Sequence, residues 1–301
     1  MERKNFQVPD GEIMKGGHLA CLGCGVPIAM KLALKGLGPK TVVVVPASCY
    51  SVIDGPYPFS ATGVPFVHIA IPGAAAAATG IRSGLDMVGD DESTVMVWAG
   101  DGGTYDIGFQ GLSGAAERNE NILYTCYDNE AYMNTGIHRS SSSPYLVWTN
   151  TTPTTDPKKV PKKRIDFIMA EHGIPYIATA SIAYPDDIVR KFEKAKNIKG
   201  MRFIRILTSC PPGWKMSNDH TIKVARLAVQ TRIFPLFEIE HGKMTINNIH
   251  DRRPVEEYLS LQGRFKHLSL ENIQQIQKQI DTEWETLAAR ANIFHPVSSV
   301  Q

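Results

Sequence analysis

Four consecutive valines, Val42-Val43-Val44-Val45, do most to limit what this chain can fold into. A strand with one wet face alternates apolar and polar residues. An unbroken β-branched run is instead buried on both faces, as in a parallel sheet covered by helices. Comparable runs recur at residues 66–71, 94–99, 122–127, 176–179 and 201–207. Helical stretches separate them, at residues 26–37, 74–88, 107–118, 165–172 and 185–196. The alternation predicts an α/β fold, a doubly wound, mostly parallel sheet filling residues 1–215. Ligands of such folds gather at the carboxyl ends of the strands.

Residues 216–301 turn polar and read as a helical C-terminal extension, packed on this domain or on a partner subunit. Within it Ile273, Ile276, Ile280, Trp284 and Leu287 recur at helical spacing behind a capping Ser269. Residues 136–164 break the pattern differently. They form a long polar stretch with a serine run at 140–143 and a basic cluster, Lys158, Lys159, Lys162, Lys163 and Arg164. Loops of that length in a compact domain are usually functional. The basic cluster reads as solvated surface or a subunit contact, able to steer an acidic protein.

With 43% hydrophobic residues and 21% charged, the chain has ample material for a core and is not disordered. A net charge of +2 gives nucleic acid no footing as the main partner. The least charged stretch, residues 64–81, carries Pro65, His68, Pro72, Gly73 and Gly80, which suits a buried strand and helix rather than a membrane span. The charged start, Met1-Glu2-Arg3-Lys4-Asn5, has no apolar run behind it, so a cytoplasmic location is expected. In that reducing compartment five cysteines point to metal or redox chemistry before disulfides.

Cys21 and Cys24 form a Cys-x-x-Cys pair among glycines. Cys49 lies just past the valine strand, and Cys210 ends the run at 201–207 ahead of Pro211-Pro212-Gly213. Three segments thus bring thiols to one sheet edge, a set suited to zinc or to an iron–sulfur cluster. Cys126, in mid-strand, reads as a small buried hydrophobe.

The strand at 94–99 runs into Gly100-Asp101-Gly102-Gly103, and the next ends in Asp128-Asn129-Glu130-Ala131-Tyr132-Met133-Asn134-Thr135-Gly136. Magnesium prefers hard oxygen ligands and commonly bridges protein to phosphate. Asp101 offers a carboxylate, Asn129 an amide oxygen and Ala131 a backbone carbonyl. Gly100 and Gly102 let a diphosphate approach the backbone, and the following helix adds N–H donors. His18, beside the cysteine pair, is placed to donate to a phosphate or a sulfur.

These two segments resemble the thiamine diphosphate signature. With Gly17-His18-Leu19-Ala20-Cys21-Leu22-Gly23-Cys24-Gly25 and Cys210-Pro211-Pro212-Gly213-Trp214, the chain resembles the β subunit of 2-oxoacid:ferredoxin oxidoreductases, the pyruvate type in particular. The resemblance continues more weakly through Leu261-Gln262-Gly263-Arg264-Phe265. It implies thiamine diphosphate with Mg²⁺ on Asp101, Asn129 and the Ala131 carbonyl, a [4Fe–4S] cluster on Cys21, Cys24, Cys49 and Cys210, and Asn134 facing cofactor and substrate. It also implies partner subunits of the α, γ and δ type, one of which supplies the carboxylate that thiamine needs, so this chain is expected to be inactive alone. The implied reaction is oxidative decarboxylation of pyruvate, with coenzyme A taking the acyl group and ferredoxin the electrons. One departure stands out. Many relatives carry a Phe-Glu-Asn-like stretch where this chain has Ile71-Pro72-Gly73. Loss of a carboxylate there favours a more negative substrate, which makes oxalate, oxidised without coenzyme A, the alternative, and 2-oxoisovalerate a further one.

Overall fold

The valine run is central, as its pattern demands. Strand β1 (Thr41–Pro46), which follows helix α1 (Gly25–Leu37), is paired on both sides, and Val43, Val44 and Val45 are fully buried. Each such burial is worth about 1.5–3 kcal/mol relative to exposure. A computed structural model describes residues 8–247 and 252–292 of the chain.

After β1 come α2 (Cys49–Ile53), β2 (Phe66–Ile69), α3 (Ala74–Met87), β3 (Thr94–Gly100), α4 (Phe109–Glu117), β4 (Leu123–Asp128), α5 (Ile165–Glu171), β5 (Tyr176–Ser181), α6 (Pro185–Asn197) and β6 (Arg202–Leu207). The short α7 (Pro211–Trp214) and α8 (Thr221–Gln230) precede β7 (Phe237–Glu240), β8 (Lys243–Ile246), α9 (Glu256–Leu259) and α10 (Leu270–Ala291). The eight strands form one sheet in the order β2-β1-β3-β4-β6-β5-β7-β8. The first six are parallel, β7 runs antiparallel beside β5, and β8 pairs antiparallel with β7. One face packs on α1 and α6, the other on α3, α4 and α5, with Leu287 and Trp284 of α10 reaching the latter. From β1 the chain leaves to one side for β2 and returns on the other as β3. The carboxyl ends of β1 and β3 therefore flank a crevice at the switch of strand order.

Four features differ from the sequence expectation. The run at 66–71 is an edge strand of four residues with Val67 and His68 exposed, and Pro72 sits in a tight 3-10 turn (Ile71–Gly73) that ends it. The helix expected from 107 starts at Phe109, behind a π-helical turn (Gly103–Ile107). The C-terminal region is not only helical, since β7 and β8 extend the main sheet. His241 and Gly242, both with positive φ, make the two-residue turn that suits the twist of a hairpin. The basic cluster is largely turned inward: Lys158 is buried, Lys162 pairs with Asp128 at 2.8 Å, and Lys163 donates to the Tyr105 carbonyl. Lys159 stays on the surface. The cap and spacing read for α10 are present, with Ser269 accepting from the Asn272 N–H.

Candidate active site

Three strand ends build the site: β1 delivers Cys49, β3 delivers Gly100, Asp101 and Gly102, and β4 delivers residues 128–134. Cys49, Gly100, Asp101, Gly102, Asn129 and residues 131–134 line a cavity of about 130 Å³ together with Ile71. Glycine is needed at 102, because a Cβ there would stand 2.1 Å from the Tyr132 ring, whose hydroxyl donates to the Gly102 carbonyl at 3.1 Å.

Asp101 is buried, and so are Asn129 and Ala131. With its nitrogen inward, the Asn129 amide donates to Asp101 Oδ1 and to the Ala131 carbonyl, each at 2.9 Å. With its oxygen inward, the same three positions become three hard oxygens, with that of Asn129 2.9 Å from each of the other two. Adjacent vertices of an octahedron with magnesium–oxygen bonds are about 2.9 Å apart. Burial first, and the charge of Asp128 second, push the Asp101 carboxyl well above the usual carboxylate range. A divalent cation is what would offset both, so the donor set fits magnesium.

Hydrogen bonds fix these ligands from behind. Ser140 Oγ donates to Asp101 Oδ2 at 2.5 Å, and Ser142 Oγ to Asp128 Oδ1 at 2.6 Å. The serine run thus folds inward beneath the site, and Ser140 is buried. Lys162 and Arg205 hold the fully buried Asp128 ionised against the cost of burial. Arg205 is neutralised in turn by Asp166 at 2.5 Å. Sequence reasoning missed Glu130, Ser142, Lys162, Arg205 and Arg264 as support for the site. Arg264 lay within a recognised segment without a role.

The cysteine segments meet at the same edge. The Gly25 N–H, just past Cys24, donates to the Ser209 carbonyl at 3.0 Å, and Thr221 Oγ1 donates to the Gly23 carbonyl at 2.5 Å. Burial pushes the Cys24 thiol up to about 11, and the Cys49 and Cys210 thiols up to about 12. Neighbouring thiols add to each shift: Cys21 acts on Cys24 and Cys210, Cys24 on Cys49 and Cys210, and Cys210 on Cys49. All four sulfurs therefore share one neighbourhood. Among the described residues no three His, Cys, Asp or Glu side chains converge as they would around a single metal ion. A cubane puts each thiolate on a different iron, so a cluster takes a wider cysteine set than a single ion does.

Asn134 lines the cavity, and its backbone N–H lies against the Cys49 sulfur. His18 is exposed, with Nδ1 accepting from the Ala20 N–H at 3.4 Å, and it is not part of the cavity wall. Cys126 is fully buried in β4. No helix among the described residues is long and apolar enough to cross a membrane.

Comparison with known proteins agrees with this geometry. Residues 49–206 match the family model for the C-terminal, TPP-binding domain of thiamine pyrophosphate enzymes. The chain is 47% identical to ketoisovalerate oxidoreductase subunit VorB of Pyrococcus horikoshii, over 97% of each chain. It is 46% identical to pyruvate synthase subunit PorB of Methanothermobacter marburgensis, over 94% of this chain and 99% of that one. A 2-oxoglutarate:ferredoxin oxidoreductase from Magnetococcus marinus shares the fold, with a TM-score of 0.56 at 23% identity over 70% of this chain and 77% of its own. The α/β thiamine-enzyme fold and two sets of relatives so similar over nearly their full length lead to one conclusion: the chain belongs to the family of 2-oxoacid:ferredoxin oxidoreductase β subunits.

Proposed function

We propose that this chain is the thiamine diphosphate- and [4Fe–4S]-binding β subunit of a pyruvate:ferredoxin oxidoreductase, completed by α-, γ- and δ-type subunits. The observation that carries this reading is the Asn129 amide standing 2.9 Å from both Asp101 Oδ1 and the Ala131 carbonyl, in a cavity whose wall includes Cys49. Asp101, Asn129 and Ala131 would hold Mg²⁺, while Gly100, Gly102 and the following helical turn would receive the diphosphate. Cys21, Cys24, Cys49 and Cys210 would hold the cluster. Thiamine diphosphate, when bound, supplies the carbon nucleophile and electron sink for decarboxylation, and the cluster supplies a one-electron exit.

This chain's residues bind, orient and exclude water. Tyr132, Ile71 and Asn134 line the cavity beside the phosphate loop, where Asn134 would face cofactor and substrate. The balanced reaction joins pyruvate and coenzyme A to give acetyl-coenzyme A and CO₂, with two electrons passed singly to ferredoxin and one proton released. Relatives that act on pyruvate and on ketoisovalerate are almost equally similar, so the substrate is tested directly.

The experiment uses the whole complex, purified anaerobically. Broad visible absorbance and about four irons per β chain, beyond those of the other subunits, are expected. Initial rates on pyruvate, 2-oxoisovalerate and oxalate are then compared with and without coenzyme A. Fastest turnover on pyruvate, dependent on coenzyme A, supports the assignment. Faster turnover on 2-oxoisovalerate, or on oxalate without coenzyme A, replaces the substrate. A β chain without iron removes the cluster.

A further inference from the structure

We propose that Glu130 is a positioning residue for the divalent cation, an inference that rests on the thiamine–magnesium reading above and adds the device that sets the ligand pair. Glu130 stands between Asn129 and Ala131, two of the three groups that converge. Its φ is 69°, in the left-handed region. That turn of the chain lets an Asn129 side chain and an Ala131 carbonyl, from residues only two apart, reach the same point. Glycine takes this conformation freely, whereas a residue with a Cβ keeps it only where its surroundings over-determine it.

Every polar group of Glu130 is anchored. Its N–H donates to Asp128 Oδ1 at 3.1 Å, and its carbonyl accepts from Ser143 Oγ at 2.7 Å. Its Oε2 accepts from Arg264 at 2.6 Å, and its Oε1 from Lys162 at 3.2 Å. Arg264 is almost wholly buried and stacks over Trp214, with its carbon centre 4.0 Å from the ring. The cation that holds the loop thus comes from the C-terminal region, 134 residues further along the chain. Ion pairs from two remote segments keep the backbone of residue 130 left-handed, and that conformation keeps the two flanking ligands converged.

The test measures Mg²⁺-dependent binding of thiamine diphosphate to the anaerobically purified complex by titration calorimetry, independent of turnover. Glu130→Ala loses both side-chain ion pairs, keeps only the backbone anchors and keeps a Cβ, so its loop is expected to leave the left-handed region. Apparent Mg²⁺ affinity is expected to fall about 10- to 100-fold, as for loss of groups that orient metal ligands. Glu130→Gly loses the same ion pairs but pays nothing for positive φ, and it is expected to recover most of that loss. A role limited to stabilising the fold would lower the unfolding midpoint of the variants and leave the Mg²⁺ affinity of the folded complex unchanged. Wild-type affinity in Glu130→Ala, or glycine as weak as alanine, overturns the proposal while the magnesium reading stands. Binding to the wild-type complex that ignores Mg²⁺ overturns both. If the Glu130 variants fail to assemble, Arg264→Lys and Arg264→Met make the same comparison. Lysine is expected to stay within a few-fold of wild type and methionine to weaken Mg²⁺ binding at least about tenfold. Equal affinities for the two overturn the proposal.

Discussion

The indole N–H of Trp214 donates to the main-chain carbonyl of Asn129 at 2.8 Å, tying the segment that carries Cys210 to the loop that carries the cation ligands. Both partners are buried, so a broken bond would leave a carbonyl without water to replace the donor, at a cost of about 1–3 kcal/mol. A second contact lies beside it. Gly213 is pressed between Met133 of the cofactor loop and Cys210, so that an added Cβ would stand 2.2 Å from Met133 Sδ and 3.2 Å from Cys210 Sγ. The proposed cluster and the proposed cation site therefore share a mechanical joint.

Gly213→Ala tests that joint. The methyl must displace Met133 or Cys210, and overpacking of this kind costs about 1–3 kcal/mol. A lower unfolding temperature and weaker retention of iron are expected. Removing the obstructing side chain in Gly213→Ala/Met133→Ala is expected to restore much of the stability, a coupling that a double-mutant cycle reads directly. Strict additivity of the two changes would refute the contact.

The two proposed sites, though joined, would hold different groups, so they should separate chemically. Asp101→Ala removes the proposed direct cation ligand, and loss of a merely orienting group already costs about 10- to 100-fold. The complex carrying it is expected to lose thiamine diphosphate and to keep its iron. Cys210→Ala is expected to do the reverse. Iron and thiamine assays per chain check both, and joint loss of cofactor and iron in either variant would show that neither site exists without the other.

How much of this was legible follows from how local each signal is. The valine run of β1 needs no knowledge of its neighbours, because only a strand buried on both faces tolerates it. The segments of Cys21, Cys24, Cys49 and Cys210 were legible as strand and helix ends. Their approach depends on a bond such as Gly25 N–H to Ser209, which no spacing reveals. Strands β7 and β8 escaped because each has four residues and half of them are polar, although Phe237, Ile239, Met244 and Ile246 do alternate around His241-Gly242. The hold of Arg264 on Glu130 spans 134 residues and leaves no trace in either local pattern. Lys158, Lys162 and Lys163 looked like solvated charge because a sequence does not say which way a lysine points.

Those lysines give a contrast that composition alone would not predict. Lys162 neutralises the fully buried Asp128 and reaches Glu130, while Lys159 pairs only with Asp156 in solvent. Removing one partner of a fully buried pair costs about 3–5 kcal/mol, and although Lys162 is only partly buried and Arg205 remains, Asp128 is fully buried and loses its nearer cation. Lys162→Met is therefore expected to lower stability strongly. Lys159→Met should stay within about 0.5 kcal/mol of wild type. Chemical unfolding of the two variants side by side is decisive, and similar effects would mean that Lys162 does not hold Asp128.

Lys158 makes stability depend on pH in a direction that the sequence does not suggest. It is 3% exposed, and its ammonium donates to the carbonyls of Ser143 at 2.5 Å and Pro161 at 3.1 Å without a carboxylate of its own. Burial first, then Arg139 and Lys162, lower its pKa to about 8. An unfolded lysine titrates near 10.4, so between about pH 8 and 10.4 the unfolded chain binds more protons than the folded one. Stability contributed by this group must therefore rise with pH across that window, and below about pH 8 the penalty of the buried charge is fully present. Lys158→Met removes the titration while leaving two carbonyls without a donor. Relative to wild type, the variant is expected to compare least favourably near pH 10, where the lysine is neutral and still donates, and to gain ground as pH falls toward 8. Denaturant midpoints of both proteins from pH 7 to 10 measure the difference, in which the other titrating groups cancel. Parallel profiles would mean that Lys158 titrates as freely as a surface lysine.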